Sequence, residues 1–344
     1  MATFTSASRI LLATTACMAA LLSAASAEDK AYYQGKTVRM IVGSGPGGGY
    51  DVFSRLIAPY LSRVLGTTVV VENQPGAGGL TALNRLYAAP PDGYLLSLSN
   101  GTGAAFAQIT GQKGVRFDLA KFSYLATVGA PPALWMLAAD SPIKTVDQAL
   151  LRKEKWRWAA SGSTSGLATG AAFACEALKM QCQIVAGYKG SNEAAIAVTR
   201  GEMDAINLPE SSANHLQRTK QNMAIATMGR TKSRFFPDQP TIFEAVKLDA
   251  DAEWLFDFYD NVSNLGRIMV AAPNMPPTRL AYLHAAVKET LAEPQLIAEG
   301  ERAERIIEYL GPNETLANAE KVVSEVTAEQ KARIIKILES AGHD

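Results

Sequence analysis

Five glycines fall within seven residues, at positions 43, 45, 47, 48 and 49, and Asp51 follows them. Glycine lets the main chain approach a ligand closely and turn its N–H groups outward. The apolar run Val38–Val42 before the glycines reads as a short buried strand. After them, Val52, Phe53, Leu56, Ile57, Tyr60, Leu61 and Val64 recur at helical spacing, and Gly66 stands where a helix-ending glycine belongs. A strand, a glycine loop and a helix start, in that order, form an anion site: free N–H donors at the positive end of a helix dipole. The candidate contacts of this loop are Ser44, Gly47, Gly48, Gly49, Tyr50 and Asp51.

Ser161-Gly-Ser-Thr-Ser-Gly166 repeats the design with polar side chains. It follows a strand at Trp158–Ala160 and precedes a helix from Leu167 to about Met180. Ser161, Ser163, Thr164, Ser165 and Gly166 would offer hydroxyls as well as N–H groups. A third small-residue loop, Ser99–Gly103, contributes Asn100 and Thr102. Asp204 is placed to cap or orient neighbouring amides. Arg267 suits a carboxylate in bidentate fashion, or else a salt bridge; Lys189 suits an anion or open solvent.

Other chemistries fit less well. Gly43–Gly48 formally matches the dinucleotide pattern G-x-G-x-x-G, with Glu72 near the place of a ribose-binding acid. Asp51 would then put the wrong charge beside a pyrophosphate. A hydrolase would need a nucleophile and a base, yet His215, His284 and His343 flank no glycine loop, and neither G-x-S-x-G nor H-E-x-x-H occurs. No cofactor or metal is implied.

The chain has 344 residues, with 33 Lys and Arg against 33 Asp and Glu. Its beginning reads as a secretory signal: Arg9, then the apolar run Ile10–Leu22, then Ala25-Ser26-Ala27 as a small-residue cleavage site. Removing residues 1–27 leaves a nearly neutral chain, which argues against nucleic acid as a partner. Cys175 and Cys182 then remain. On one continuous helix they would be too far apart to bridge. If the helix ends near Met180 and the chain turns back, a disulfide suits export to an oxidising compartment. Both readings stay open at this level.

Strands at 67–71 and 94–98 alternate with glycine-bearing loops and helices, which is the rhythm of a parallel sheet with crossovers. Further strands are expected at 122–128, 134–139, 183–186, 205–208, 224–228 and 265–271. Thr145 and Thr241 are expected to cap short helices, and helices at about 278–292, 294–308 and 315–340 close the chain. Trp254, Phe256, Phe258 and Tyr259 read as core, and favour an aromatic ligand only if that segment reaches a cleft.

These motifs together resemble one family, the substrate-binding receptors of tripartite tricarboxylate transporters, also called Bug receptors. VRMIVGSGPGGGYDVFSRLIAPYLSRVLG resembles the family's opening strand, loop and first helix. VVVENQPGAGGLTALNRLYAAPPDGYLLSLSN resembles its most recognisable stretch. SGSTSG, GYKGSNEAAIAVTRGEMDAI and FFPDQPTIFEA are similar to later blocks. The resemblance implies a bilobed periplasmic-binding-protein-like α/β fold: two α/β domains joined by crossover strands, closing on a small organic carboxylate. Residues 28–132 with about 270–344 would form domain 1, and about 133–269 domain 2. It further implies a monomer that serves cognate integral-membrane subunits, with an exported sensor of the same fold as the alternative. In the family the aspartate matching Asp51 orders a water and the loop; Asp204 matches a later family aspartate. Three departures stand out. Gly43-Ser44-Gly45 replaces apolar residues, Leu167-Ala-Thr replaces a common histidine, and WLFDFYDNVSNLGRIMVAAP carries an apparent insertion.

Overall fold

The structure is a computed structural model that describes residues 30–340 apart from 48, 130, 131, 162–164, 189, 190, 219 and 304. The expected signal segment, Gly48, Ser163, Thr164 and Lys189 thus lie outside the described residues.

The chain opens with three strand–helix pairs. β1 (Thr37–Val42) leads to α1 (Gly49–Leu65), β2 (Thr68–Asn73) to α2 (Leu80–Tyr87), and β3 (Leu95–Asn100) to α3 (Gly101–Ile109). β1 lies between β2 and β3 and is parallel to both, with Val38 beside Val69 and Met40 beside Leu96. Met40, Ile41 and Val42 are fully buried, as in a strand covered on both faces. α1 buries Phe53, Ile57, Leu61 and Leu65 at the expected spacing, and Gly66 ends it at φ +66°.

Next come β4 (Ser123–Val128), β5 (Ala133–Ala138), the short α4 (Val146–Leu150), β6 (Trp156–Ala159) and α5 (Gly166–Ala177). β7 (Cys182–Val185), α6 (Ser191–Thr199), β8 (Ile206–Pro209), α7 (Glu210–Arg218) and β9 (Asn222–Thr227) follow. α8 (Ile242–Ala245) starts with a full Thr241–Glu244 capping box. α5 stops at Ala177, the chain reverses with Lys179 at φ +53°, and Cys175 bonds Cys182 across a Cα separation of 6.2 Å. The turn thus supplies the condition the disulfide needed.

The stretch with the apparent insertion forms a 14-residue helix, α9 (Ala250–Ser263), followed by β10 (Arg267–Ala271). α10 (Pro277–Leu291) and α11 (Pro294–Arg302) come close to expectation, but α11 ends early and the chain returns to a sheet edge as β11 (Tyr309–Leu310). The last expected helix is two, α12 (Pro312–Ser324) and α13 (Ala328–Ser340). Thr327 and Gln330 exchange backbone and side-chain hydrogen bonds at 2.9 and 3.2 Å, a capping box that starts α13 afresh.

The strands form a six-stranded sheet in the order β11-β4-β10-β3-β1-β2, a three-stranded sheet β8-β5-β9 and a pair β6-β7. β5 is antiparallel to both its neighbours; β6 and β7 are parallel. By packing the chain forms two compact units. Of the described residues, one holds those up to Ser99, with Lys121–Ala126 and Met269–Glu299; the other holds those in Asn100–Ala120, in Thr127–Ile268 and from Gly300 on. β4 and β10, neighbours in the sheet, each run from one unit into the other, as crossover strands do. The sequence reading set the limits at 132 and about 270; the described residues from Gly300 on group with the second unit. The second unit centres on Trp135, which meets Trp156 and Trp158 at ring distances of 5.6 and 5.2 Å. Among the described residues no helix is long and apolar enough to cross a membrane.

Candidate functional site

The loop between β1 and α1 is built around Asp51, whose side chain is buried in the first turn of α1. Its Oδ2 accepts the Gly47 N–H at 2.8 Å. Its Oδ1 accepts from Asn73 Nδ2 at 2.8 Å and pairs with Arg55 Nη2 at 2.9 Å. Asn73 Nδ2 also donates to the Ser44 carbonyl at 3.0 Å, and Arg55 Nη2 donates to Asn73 Oδ1 at 3.0 Å. The Arg55 hydrogen bond, helped by those from Gly47 and Asn73 and opposed by burial, lowers the Asp51 pKa to about 2. The carboxylate is therefore ionised and turned inward, as a device that shapes the loop.

The glycines divide into two kinds. A Cβ on Gly43 would lie 2.5 Å from the Gly79 Cα, so Gly43 serves the packing of this loop on the Gly76–Gly79 loop. A Cβ on Gly45, Gly47 or Gly49 would meet nothing within 4 Å, and Gly47 has φ +77°. These three leave an open backbone face beside the start of α1. Tyr50 is half-buried at that start. The Ser44 hydroxyl is buried and has no hydrogen-bond partner among the described residues.

The second loop ends on α5. Ser165 caps the helix through its side chain, which accepts the Ala168 N–H at 3.3 Å, and its carbonyl accepts from Thr169 at 2.9 Å. The Gly166 and Leu167 N–H groups have no acceptor among the described residues, so two donors stand at the positive helix end. Ser161 is half-buried at the near side of the loop. Asn207 and Tyr259 reach the Gly166 carbonyl from beneath at 3.1 and 3.3 Å.

The side chains of the other candidates are engaged in hydrogen bonds of their own. Asn100 caps α3 by accepting the Gly103 N–H at 3.0 Å, and Thr102 donates to the Val262 carbonyl at 3.1 Å. Asp204 accepts from the backbone and guanidinium of Arg157 at 2.8 to 3.1 Å and pairs with Arg152 at 3.2 Å. Burial opposes its ionisation, but the Arg157 hydrogen bonds prevail and its pKa is lowered. Arg157 lies at the start of β6, whereas the serine loop follows the end of that strand. Arg267 donates to the Gly129 carbonyl at 3.3 Å. His284 lies half-buried on α10, against the Tyr124 carbonyl at 2.8 Å.

Three of the four aromatic residues from Trp254 on are core, as their clustering suggested, while Trp254 itself is half-buried. Phe256, Phe258 and Tyr259 are buried, with Phe258 and Tyr259 stacked on Phe173 at 5.8 and 5.4 Å. The lean towards an aromatic ligand has no support from this packing. Sequence reading passed over Arg55, Asn73, Asn207 and the Tyr259 hydroxyl. Only Arg55 left a local signal, four residues beyond Asp51 on one helix face; the others meet their partners only through the fold.

A family model described as the tripartite tricarboxylate transporter family receptor matches residues 53–337. A UPF0065 protein of Bordetella pertussis is 24% identical over 282 residues, covering 81% of this chain and 83% of the relative. A TctC solute-binding protein from Polaromonas, solved without ligand, superposes with a TM-score of 0.72 at 21% identity. It covers 89% of this chain and 99% of its own. MatC from Rhodopseudomonas palustris, solved with bound malate, gives a TM-score of 0.63 at 22% identity over 88% of this chain and 98% of its own. The two solved structures establish that this fold is that of TctC-type solute-binding proteins.

Proposed function

The chain belongs to the tripartite tricarboxylate transporter receptor family, and we propose that it is an exported receptor that captures a small organic carboxylate for the membrane subunits of such a transporter. The family is one of receptors rather than enzymes. The periplasm as its compartment, cleavage near Ala27 and action as a monomer are parts of the same proposal.

One observation carries the reading. The Asp51 carboxylate is hydrogen-bonded inward to Gly47, Asn73 and Arg55, while Gly45, Gly47 and Gly49 present open backbone. Such a loop binds a carboxylate through N–H donors and needs no arginine in direct contact with the ligand. The Gly166 and Leu167 N–H groups supply a second set of donors, with Ser161 and Ser165 in the same loop; Ser163 and Thr164 are assigned to that set from the sequence alone. Ser44, Gly48 and Tyr50 complete the first set. Asn100, Thr102, Asp204 and Arg267 are assigned to the frame around the ligand, because the hydrogen bonds described above engage their side chains. The malate in MatC supports a small aliphatic acid as the ligand class.

A thermal-shift screen of residues 28–344 against organic acids, with NAD and neutral sugars as controls, tests the reading. A ligand at 100 times its Kd stabilises the native state by about 2.7 kcal/mol. One class of carboxylate is expected to raise Tm, and Asp51→Ala is expected to reduce that rise while the variant stays folded. A rise with NAD alone, or an Asp51→Ala response equal to wild type, would overturn it.

A further inference from the structure

The Gly166 carbonyl receives more donors than a helix start requires. Asn207 Nδ2 reaches it at 3.1 Å and the Tyr259 hydroxyl at 3.3 Å, while the Thr169 hydroxyl lies 3.4 Å from it and 3.2 Å from the Ser165 carbonyl. Asn207 Nδ2 also donates to the Tyr259 oxygen at 3.2 Å. Asn207 is 2% exposed and Tyr259 is 4% exposed. Buried polar side chains joined in this way fix one geometry, because each bond is strong in a low dielectric and each loss leaves a buried orphan. Burial raises the Tyr259 pKa, so the phenol keeps its proton and its donor role.

The arrangement depends on a gap in α5. A Cβ at Gly170 would collide with the Asn207 amide and lie 2.5 Å from the Tyr259 hydroxyl. The three parts come from β8, α9 and α5. Tyr259 stands on the helix that fills the apparent insertion, the stretch in which the sequence departs from its family resemblance. Its ring already packs on Phe173 at 5.4 Å, so the hydroxyl adds a bond that packing does not need.

We propose that Asn207 and Tyr259 are positioning residues, which clamp the Gly166 carbonyl and so hold the Leu167 N–H group in the orientation that binds the ligand carboxylate. A carbonyl pinned from beneath fixes the plane of its peptide, and the N–H of Leu167 belongs to that same plane. The role rests on the carboxylate-receptor reading for its consequence, but the clamp itself is measurable without ligand.

The test compares wild type with Tyr259→Phe, which keeps the ring and removes one oxygen, and with Gly170→Ala, which displaces both side chains. Ile225→Val, a buried change in β9, controls for general loosening of the same unit. Amide hydrogen exchange of the free protein is expected to speed up at least tenfold at residues 168–170, whose N–H groups are hydrogen-bonded, in Tyr259→Phe and Gly170→Ala, and to stay at the wild-type rate there in Ile225→Val. Unchanged exchange in Tyr259→Phe overturns the clamp, whether or not any acid binds. Titration with L-malate, and with the acid that gives the largest thermal shift, then reads the consequence. Tyr259→Phe is expected to weaken Kd about tenfold and Ile225→Val to match wild type. Wild-type affinity in Tyr259→Phe overturns the positioning role. If no acid binds wild type, the receptor reading fails and so does the clamp's consequence, while exchange still decides the clamp.

Discussion

An aspartate at the start of a helix beside an anion site is a charge in the wrong place until its partners are known. Arg55, Asn73 and the Gly47 N–H turn the Asp51 carboxylate into an internal brace. Its pKa is lowered from 3.8 to about 2, and the side chain is almost fully buried, so the ionised form contributes roughly 2 kcal/mol to stability. The sign follows from the direction. The folded-state value lies below the unfolded one, so the contribution is complete above about pH 4 and is lost as pH falls through about 2. Urea unfolding of wild type and Asp51→Asn is expected to differ by roughly 2 kcal/mol at pH 7 and to converge near pH 2. A difference that stays constant with pH would mean that the carboxylate charge contributes nothing.

Among the elements, the first loop shows how one glycine-rich stretch serves two purposes. Gly43 lies against the Gly79 backbone, and neither can retreat without moving β1 or α2. Gly45 faces open space in ordinary backbone conformation. Gly43→Ala is therefore expected to destabilise the protein by about 1–3 kcal/mol, the usual cost of overpacking. Gly45→Ala is expected to leave stability within about 0.5 kcal/mol of wild type. Thermal unfolding of the two variants checks the division, and equal Tm values would erase it. The same contrast holds for α5. Its run of Gly and Ala, nearly all buried, lets β8 and α9 come close enough to reach its first carbonyl.

For the whole molecule, charge is the informative quantity. Lys and Arg total 33 and so do Asp and Glu, so no strong field gathers anions from a distance. Arg55 is paired with Asp51 and Arg157 with Asp204. In the proposed site, capture then depends on short-range N–H donors. Ligand Kd is expected to change less than about threefold between roughly 0.05 and 0.5 M NaCl, where a site governed by screened surface charge would weaken much more. Isothermal titration across that range reads it directly.

How much of this was legible in the chain depends on the range of each interaction. The strand–loop–helix units, the turn at Gly66, the Thr241 cap and the candidate loops are local patterns, and the residues themselves determined them. Family membership was legible for the same reason, since its blocks are contiguous stretches. The Thr327–Gln330 cap was also local, but the continuous helical pattern across it concealed the break. The partners of Asp51 and Gly166 were another matter. Asn73 is 22 residues from Asp51, and Tyr259 is 93 residues from Gly166. No spacing rule reaches across such separations, because a hydrogen bond depends on distance in space. Only the tertiary structure, by placing β2 beside β1 and α9 against α5, decided which polar side chains would hold the two loops.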